Sequence, residues 1–166
     1  MIRKISDFLD TLQSEREKTI TIFKAVDESK KSIQLNPNIR SLERLAWHIS
    51  QTVTEMPHQS GLLDEDTLKD KPIPATFAEI ISTYEQHSKT LTEVITAQWH
   101  DKDLEKEVDM YGEKWPNGKT LEVLIFHEIH HRAEMVALMR VLDMKVPGIY
   151  GPSKEDWSKY GLPEMV

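Results

Sequence analysis

Apolar residues recur along this chain at steps of three and four, and four polar stretches rich in proline and glycine interrupt them. Ile2, Ile5, Leu9, Leu12, Ile20, Phe23 and Val26 keep that spacing, which predicts a first helix over roughly 2–30. Asn36-Pro37-Asn38 is a turn signal. Ser41 is suited to cap a second helix whose stripe is Leu42, Leu45, Ile49, Val53 and Met56. A second break covers Pro57 to Ala75 and contains Gly61, Pro72 and Pro74. Thr76-Phe77-Ala78-Glu79 has the form of a capping box and opens a third helix with Phe77, Ile80, Tyr84, Leu91 and Ile95 on its stripe. After the break at Trp115-Pro116-Asn117-Gly118, Thr120 is placed to cap a fourth helix over about 121–143. Pro147-Gly148 and Gly151-Pro152 form the last break. Ser153, with Asp156 three residues on, predicts a short fifth helix ending near Gly161.

No segment alternates at period two for long enough to predict a strand. The expected fold is all-α, a single domain over 1–166 built as a four-helix bundle with a short C-terminal helix. The break between helices two and three is long for a hairpin, so a crossover that lets those two helices run parallel is expected there.

The chemistry collects on helix four, in Phe126-His127-Glu128-Ile129-His130-His131-Arg132. His127 and His131 are four apart, so they lie on one face about one turn apart and can reach a single metal ion. His131 falls near the centre of an apolar stripe made by Leu124, Met135, Leu138 and Leu142, which places it towards the core. A buried imidazole needs partners. His130 points roughly 100° away from His131 and is the weaker ligand. The bland alternative is an exposed histidine beside a satisfied buried one. His127-Glu128-Ile129-His130-His131 also matches the zinc-protease pattern H-E-x-x-H, in which the glutamate is the general base. However, positions 134 and 137 are Glu and Ala where the extended pattern wants Gly and His, and no strand is in prospect to hold a peptide substrate. A third ligand has to come from another helix. His48, at the edge of the stripe of helix two, and His87, in the stripe of helix three, are rivals on spacing alone. His58 and His100 lie in or beside breaks and are expected at the surface.

Composition narrows the chemistry. None of the 166 residues is cysteine, which removes disulfides, thiolate metal sites and cysteine nucleophiles. The net charge of -7, with both signs interspersed, argues against a nucleic-acid binder. No apolar run approaches the ~20 residues of a membrane span, and the N-terminal residues have no signal-peptide core. A cytoplasmic protein acting on a small molecule, without membrane or nucleic acid, is the expectation.

Two stretches carry a resemblance to the DinB-like (YfiT-like) family of metalloenzymes. One is Arg40-Ser41-Leu42-Glu43-Arg44-Leu45-Ala46-Trp47-His48-Ile49. The other runs from His127 through Leu138-Met139-Arg140 to Val146-Pro147-Gly148-Ile149-Tyr150-Gly151-Pro152 and on to Trp157. Glu15 to Thr19 matches more weakly. The resemblance implies a four-helix bundle in which one histidine of helix two and an H-x-x-x-H pair of the last long helix bind a divalent metal, here His48, His127 and His131. It thereby selects His48 over His87. It also implies a homodimer and, for some members, thiol-dependent S-transfer. The family name reflects induction by DNA damage and does not imply DNA binding. The family often continues with Arg-Gly-Gln after the last histidine, whereas this chain has Arg132-Ala133-Glu134.

Three neutral imidazoles would leave a dication its full charge and open coordination positions, able to acidify water or bind the thiolate of a low-molecular-weight thiol. Transferase and hydrolase chemistry are both available, and the alternative is a non-catalytic metal-binding module of the stress response. Imidazole suits zinc, nickel, iron and copper, with zinc and nickel foremost. Glu128, roughly 60° from His131 on the helix, is a candidate general base; its plainer role is a supporting or surface carboxylate. Glu134 is a candidate partner for an imidazole N–H. Arg132 could take an anionic substrate, but an interhelical salt bridge is the plainer role. Trp47, Trp115, Tyr150 and Trp157 are candidates to wall a pocket, and Tyr150-Gly151-Pro152 to cover one end of the bundle.

Overall fold

The structure is a computed structural model that describes residues 2–164. Four long helices dominate it: α1 (Ile5–Lys24), α2 (Leu42–Gln59), α3 (Phe77–Gln98) and α4 (Asn117–Val141). All five stripe residues expected on α2 and all five expected on α3 are buried. Their starts are capped as their sequences require. The Ser41 hydroxyl accepts from the Arg44 amide, and Thr76 and Glu79 form a reciprocal box.

The direction of each helix follows from contacts at the two ends of the molecule. Just past α1, Glu28 accepts from the Phe77 amide that opens α3, and the Lys31 carbonyl accepts from the Glu43 amide in the first turn of α2. Lys30 donates to the Leu142 carbonyl just past α4. At the opposite end, the Ile5 amide donates to Asp101, while Asn117 donates through its side chain to the Asp103 carbonyl. Hence α1 and α4 run one way, α2 and α3 the other. Residues 60–76 are the crossover between two parallel helices.

Several boundaries differ from the expectation. Helix α1 stops at Lys24 because Asp27 folds its carboxylate back onto the Ser29 amide, a local bond that competes with helix continuation. Its buried face is Ile5, Phe8, Leu12, Glu15, Thr19, Ile22 and Phe23, so Leu9 and Ile20 are only half-buried. Helix α2 continues through Pro57 for two more residues. Helix α4 begins at Asn117, whose amide donates to the Lys106 carbonyl, and Thr120 lies buried inside the first turns rather than capping them. The C-terminal segment is a 3-10 helix, Lys154–Tyr160, opened by the Ser153–Asp156 box and closed by Gly161 in the left-handed region.

The expectation of no strand is corrected. Glu107–Met110 (β1) and Glu113–Pro116 (β2) pair antiparallel, with Val108 opposite Trp115. Tyr111 and Gly112 between them have φ values of 54° and 86°. Two successive positive φ values give the tight turn whose twist suits a two-residue hairpin. Met110 is fully buried beneath it, and the Tyr111 hydroxyl reaches Glu55 of α2 at 3.1 Å. Among the described residues, no helix is long and apolar enough to cross a membrane.

One polar cluster lies inside this core. Arg132 of α4 is 3% exposed and forms an ion pair with Glu15 of α1, which is 6% exposed. Arg132 also donates to the Thr19 hydroxyl at 3.0 Å, and Thr19 donates to Glu128 at 2.5 Å. Tyr84 of α3 donates to the same Glu128 oxygen at 2.7 Å, and Tyr150 donates to Glu15 at 2.5 Å. Burial alone would push the Glu15 carboxyl up, but hydrogen bonds from Lys18, Tyr150 and Arg132 bring it below its ordinary value. Removing the cation strands buried acceptors. Arg132→Ala is therefore expected to cost about 3–5 kcal/mol. Arg140→Ala, which breaks the exposed pair with Glu155, should cost at most about 1 kcal/mol. Urea unfolding of the two variants measures the contrast.

Candidate metal centre

Helix α4 presents two faces to the rest of the molecule. His127 and His131 share the face towards α2. Glu128 and Arg132, also four apart, share the next face, roughly 100° round, towards α1. Because α2 runs antiparallel to α4, His48 meets the histidine pair at mid-length.

The three imidazoles converge. His48 and His127 bring their Nε2 atoms to 2.9 Å of each other. Ring centroids are 5.0 Å apart for His48 and His127, 4.6 Å for His48 and His131, and 4.5 Å for His127 and His131. One ring nitrogen from each lies within 4.8 Å of the others. His131 is 8% exposed, while His48 and His127 are half-buried, so one side of the cluster is open. Nδ1 of His131 is 2.5 Å from a Glu134 oxygen, so the carboxylate holds the orientation of this ring. The donor set suits a divalent ion. It consists of three imidazoles, two kept neutral by their surroundings and one oriented by a carboxylate.

Burial holds His48 down to about 4, with His131 and His127 adding to the effect. Burial likewise holds His127 to about 4, helped by His131 and His130. The folded protein thus takes up fewer protons than the unfolded chain, whose imidazoles titrate near about 6.5. Stability from these two groups is complete above about pH 6.5 and drains as the pH falls towards about 4. Thermal unfolding of chelator-treated protein should show a falling Tm across that window. The decline should be shallower in His48→Gln.

The other candidate residues lie elsewhere. His58 and His100 are exposed; His87 is half-buried on α3, 3.5 Å from the Thr67 hydroxyl. His130 is exposed; with His131 and Glu134 it forms a second, overlapping group of donors at the surface. Glu128 is 2% exposed, and the described contacts of its carboxylate are with Thr19 and Tyr84. Burial raises its pKa, with Thr19 and Tyr84 offsetting part of the rise. Its expected place as a general base beside the histidines is therefore corrected. Measured from His131 alone the angle is small, but measured from the middle of the histidine pair it is roughly 80°. The H-E-x-x-H arrangement of a protease loses its base for the same reason.

The aromatic residues do not converge either. Trp47 is buried and donates to the Lys71 carbonyl, and Trp115 packs against Tyr111 on the hairpin. Residues 146–153 line a cavity of about 300 Å³ along the C-terminal half of α4, with Ile129, Ala133, Val136 and Arg140.

The family model described as "DinB family" matches residues 1–165. The chain belongs to the DinB family. A DinB-like protein of Bacillus cereus ATCC 10987 with a crystal structure is 33% identical, with a TM-score of 0.83 over 90% of this chain and all of that one. A second DinB-like structure, from Bacillus subtilis, shares the fold at 15% identity, with a TM-score of 0.65 over 84% of this chain and 95% of that one. The uncharacterized protein YrdA of Bacillus subtilis strain 168 is 31% identical over 98% of this chain and 97% of its own length. The DinB fold is thus mostly helical here, with a small two-stranded sheet between α3 and α4.

Proposed function

We propose that this DinB-family protein is a divalent-metal-dependent enzyme that activates water or a low-molecular-weight thiol at a centre held by His48, His127 and His131. The observation that carries the reading is the convergence of ring nitrogens from two helices, with neutral imidazoles and an open side. Imidazoles gathered at a partly buried seam need polar partners, and a shared metal ion would supply one to all three.

The residues have separable tasks. His48 and His127 supply lone pairs that protons do not compete for at neutral pH. Glu134 orients His131 through the contact with its Nδ1. Bound there, a dication would supply Lewis acidity, with zinc and nickel as first candidates. The half-exposed side admits a small molecule. Glu128 and Arg132 stand behind the site and set the rotation of α4. A non-catalytic metal module is the alternative, distinguished by what metal removal does. A purely structural site should unfold with its metal, whereas a catalytic one should leave the helices folded.

Metal analysis tests the reading. Purified protein is expected to hold one zinc or nickel per chain, and His127→Ala/His131→Ala none. Glu134→Ala should weaken metal affinity by about 10–100-fold while leaving the stoichiometry unchanged. Equal metal content in wild type and the double variant would overturn the assignment. Far-ultraviolet circular dichroism before and after chelation decides between the catalytic and the structural alternative.

A further inference from the structure

The seam between α2 and α4 continues past the histidines. Leu45, three residues before His48, and Glu134, three residues after His131, line a cavity of about 470 Å³. Leu138, and Ile39 and Arg40 from the loop before α2, also line it. The sequence draws attention to Arg132 as an anion binder, but Arg132 is spent in the core on Glu15. Arg140 is paired with Glu155, and Arg44 donates to Gln51. The guanidinium of Arg40, by contrast, has no hydrogen-bond or ion-pair partner among the described residues. Its charge nevertheless weighs on both His48 and His127.

We propose that this cavity binds a small monocarboxylate with an apolar body, its carboxylate on Arg40 and its body against Ile39, Leu45 and Leu138. Arginine offers a planar fork of donors that matches a carboxylate at two points. An unpaired guanidinium beside apolar walls leaves that fork available. The charge class follows from Glu134, whose carboxylate shares the cavity and is already bonded to His131. A single carboxylate neutralises Arg40, whereas a dianionic phosphate monoester would face Glu134 with a charge to spare. The cavity adjoins the histidine cluster through Glu134. If the metal reading above holds, Arg40 recognises one end of a substrate whose other end reacts. Binding itself rests only on Arg40 and the apolar walls.

Hexanoate, hexanamide and hexyl phosphate are titrated into the full chain, as isolated and again after chelator treatment, with leucine methyl groups followed by NMR. Hexanoate should shift the Leu45 and Leu138 methyls in both preparations and bind about tenfold more tightly than hexanamide or hexyl phosphate. That is the difference expected of one charge-assisted pair. Arg40→Gln should weaken hexanoate about tenfold, and Arg40→Lys should restore part of the loss. Equal affinity for acid and amide, tighter binding of the phosphate, binding only before chelation, or an unchanged affinity in Arg40→Gln would each overturn the proposal. Arg40-dependent hexanoate binding in a protein that takes up no divalent metal when zinc or nickel is supplied would sink the metal centre and leave this site standing. Metal binding with hexanoate indifferent to Arg40 would do the reverse.

Discussion

A buried positive charge fixes how α4 is turned. Arg132 cannot leave the core without abandoning Glu15, Thr19 and, through Thr19, Glu128. Once that face of the helix is held against α1, the helical period sends His127 and His131 towards α2. The ion pair does not touch the histidines, yet it sets the angle at which they are presented. Buried ion pairs are poor sources of net stability, and fixing one arrangement among several is their better-attested use. Here the arrangement fixed is the rotation of the one helix that carries both faces.

The second constraint is chain direction. The crossover at 60–76 makes α2 and α3 parallel, which leaves α2 antiparallel to α4 and brings His48 opposite the pair. A simple up-down order would have run α2 and α3 in opposite directions. The site is thus assembled from one local spacing on α4 and one non-local pairing. Glu134 joins the two features, since one carboxylate both orients His131 and sets the charge of the neighbouring cavity.

Much of this was legible in the sequence, for reasons that differ from helix to helix. The stripe of α2 is an unbroken apolar series and that of α3 is interrupted only between Tyr84 and Leu91, where Ser88 is buried, so periodicity alone locates both. The stripe of α1 is interrupted by Glu15 and Thr19, polar residues that are in the core because Arg132 and Glu128 meet them there. No local pattern reveals such a pairing, and the apparent stripe slid to Leu9 and Ile20. The hairpin was missed because four-residue strands leave too little alternation to read. Gly112 after Tyr111 was its one local signal. His48 and His87 could not be separated by spacing, and the family resemblance separated them. Glu128 lies roughly 60° from His131 but roughly 80° from the middle of the histidine pair, and its carboxylate meets Thr19 and Tyr84. Arg40 opens one of the two stretches that carry the resemblance, but that it is unpaired is a property of the folded surroundings, which no local pattern reveals.

Anomalous diffraction at the zinc absorption edge locates a bound metal ion directly. From crystals of zinc-loaded protein, a single strong peak about 2.1 Å from one nitrogen each of His48, His127 and His131 is the expected result. A peak on His130 and Glu134 instead, or none between α2 and α4, would contradict it.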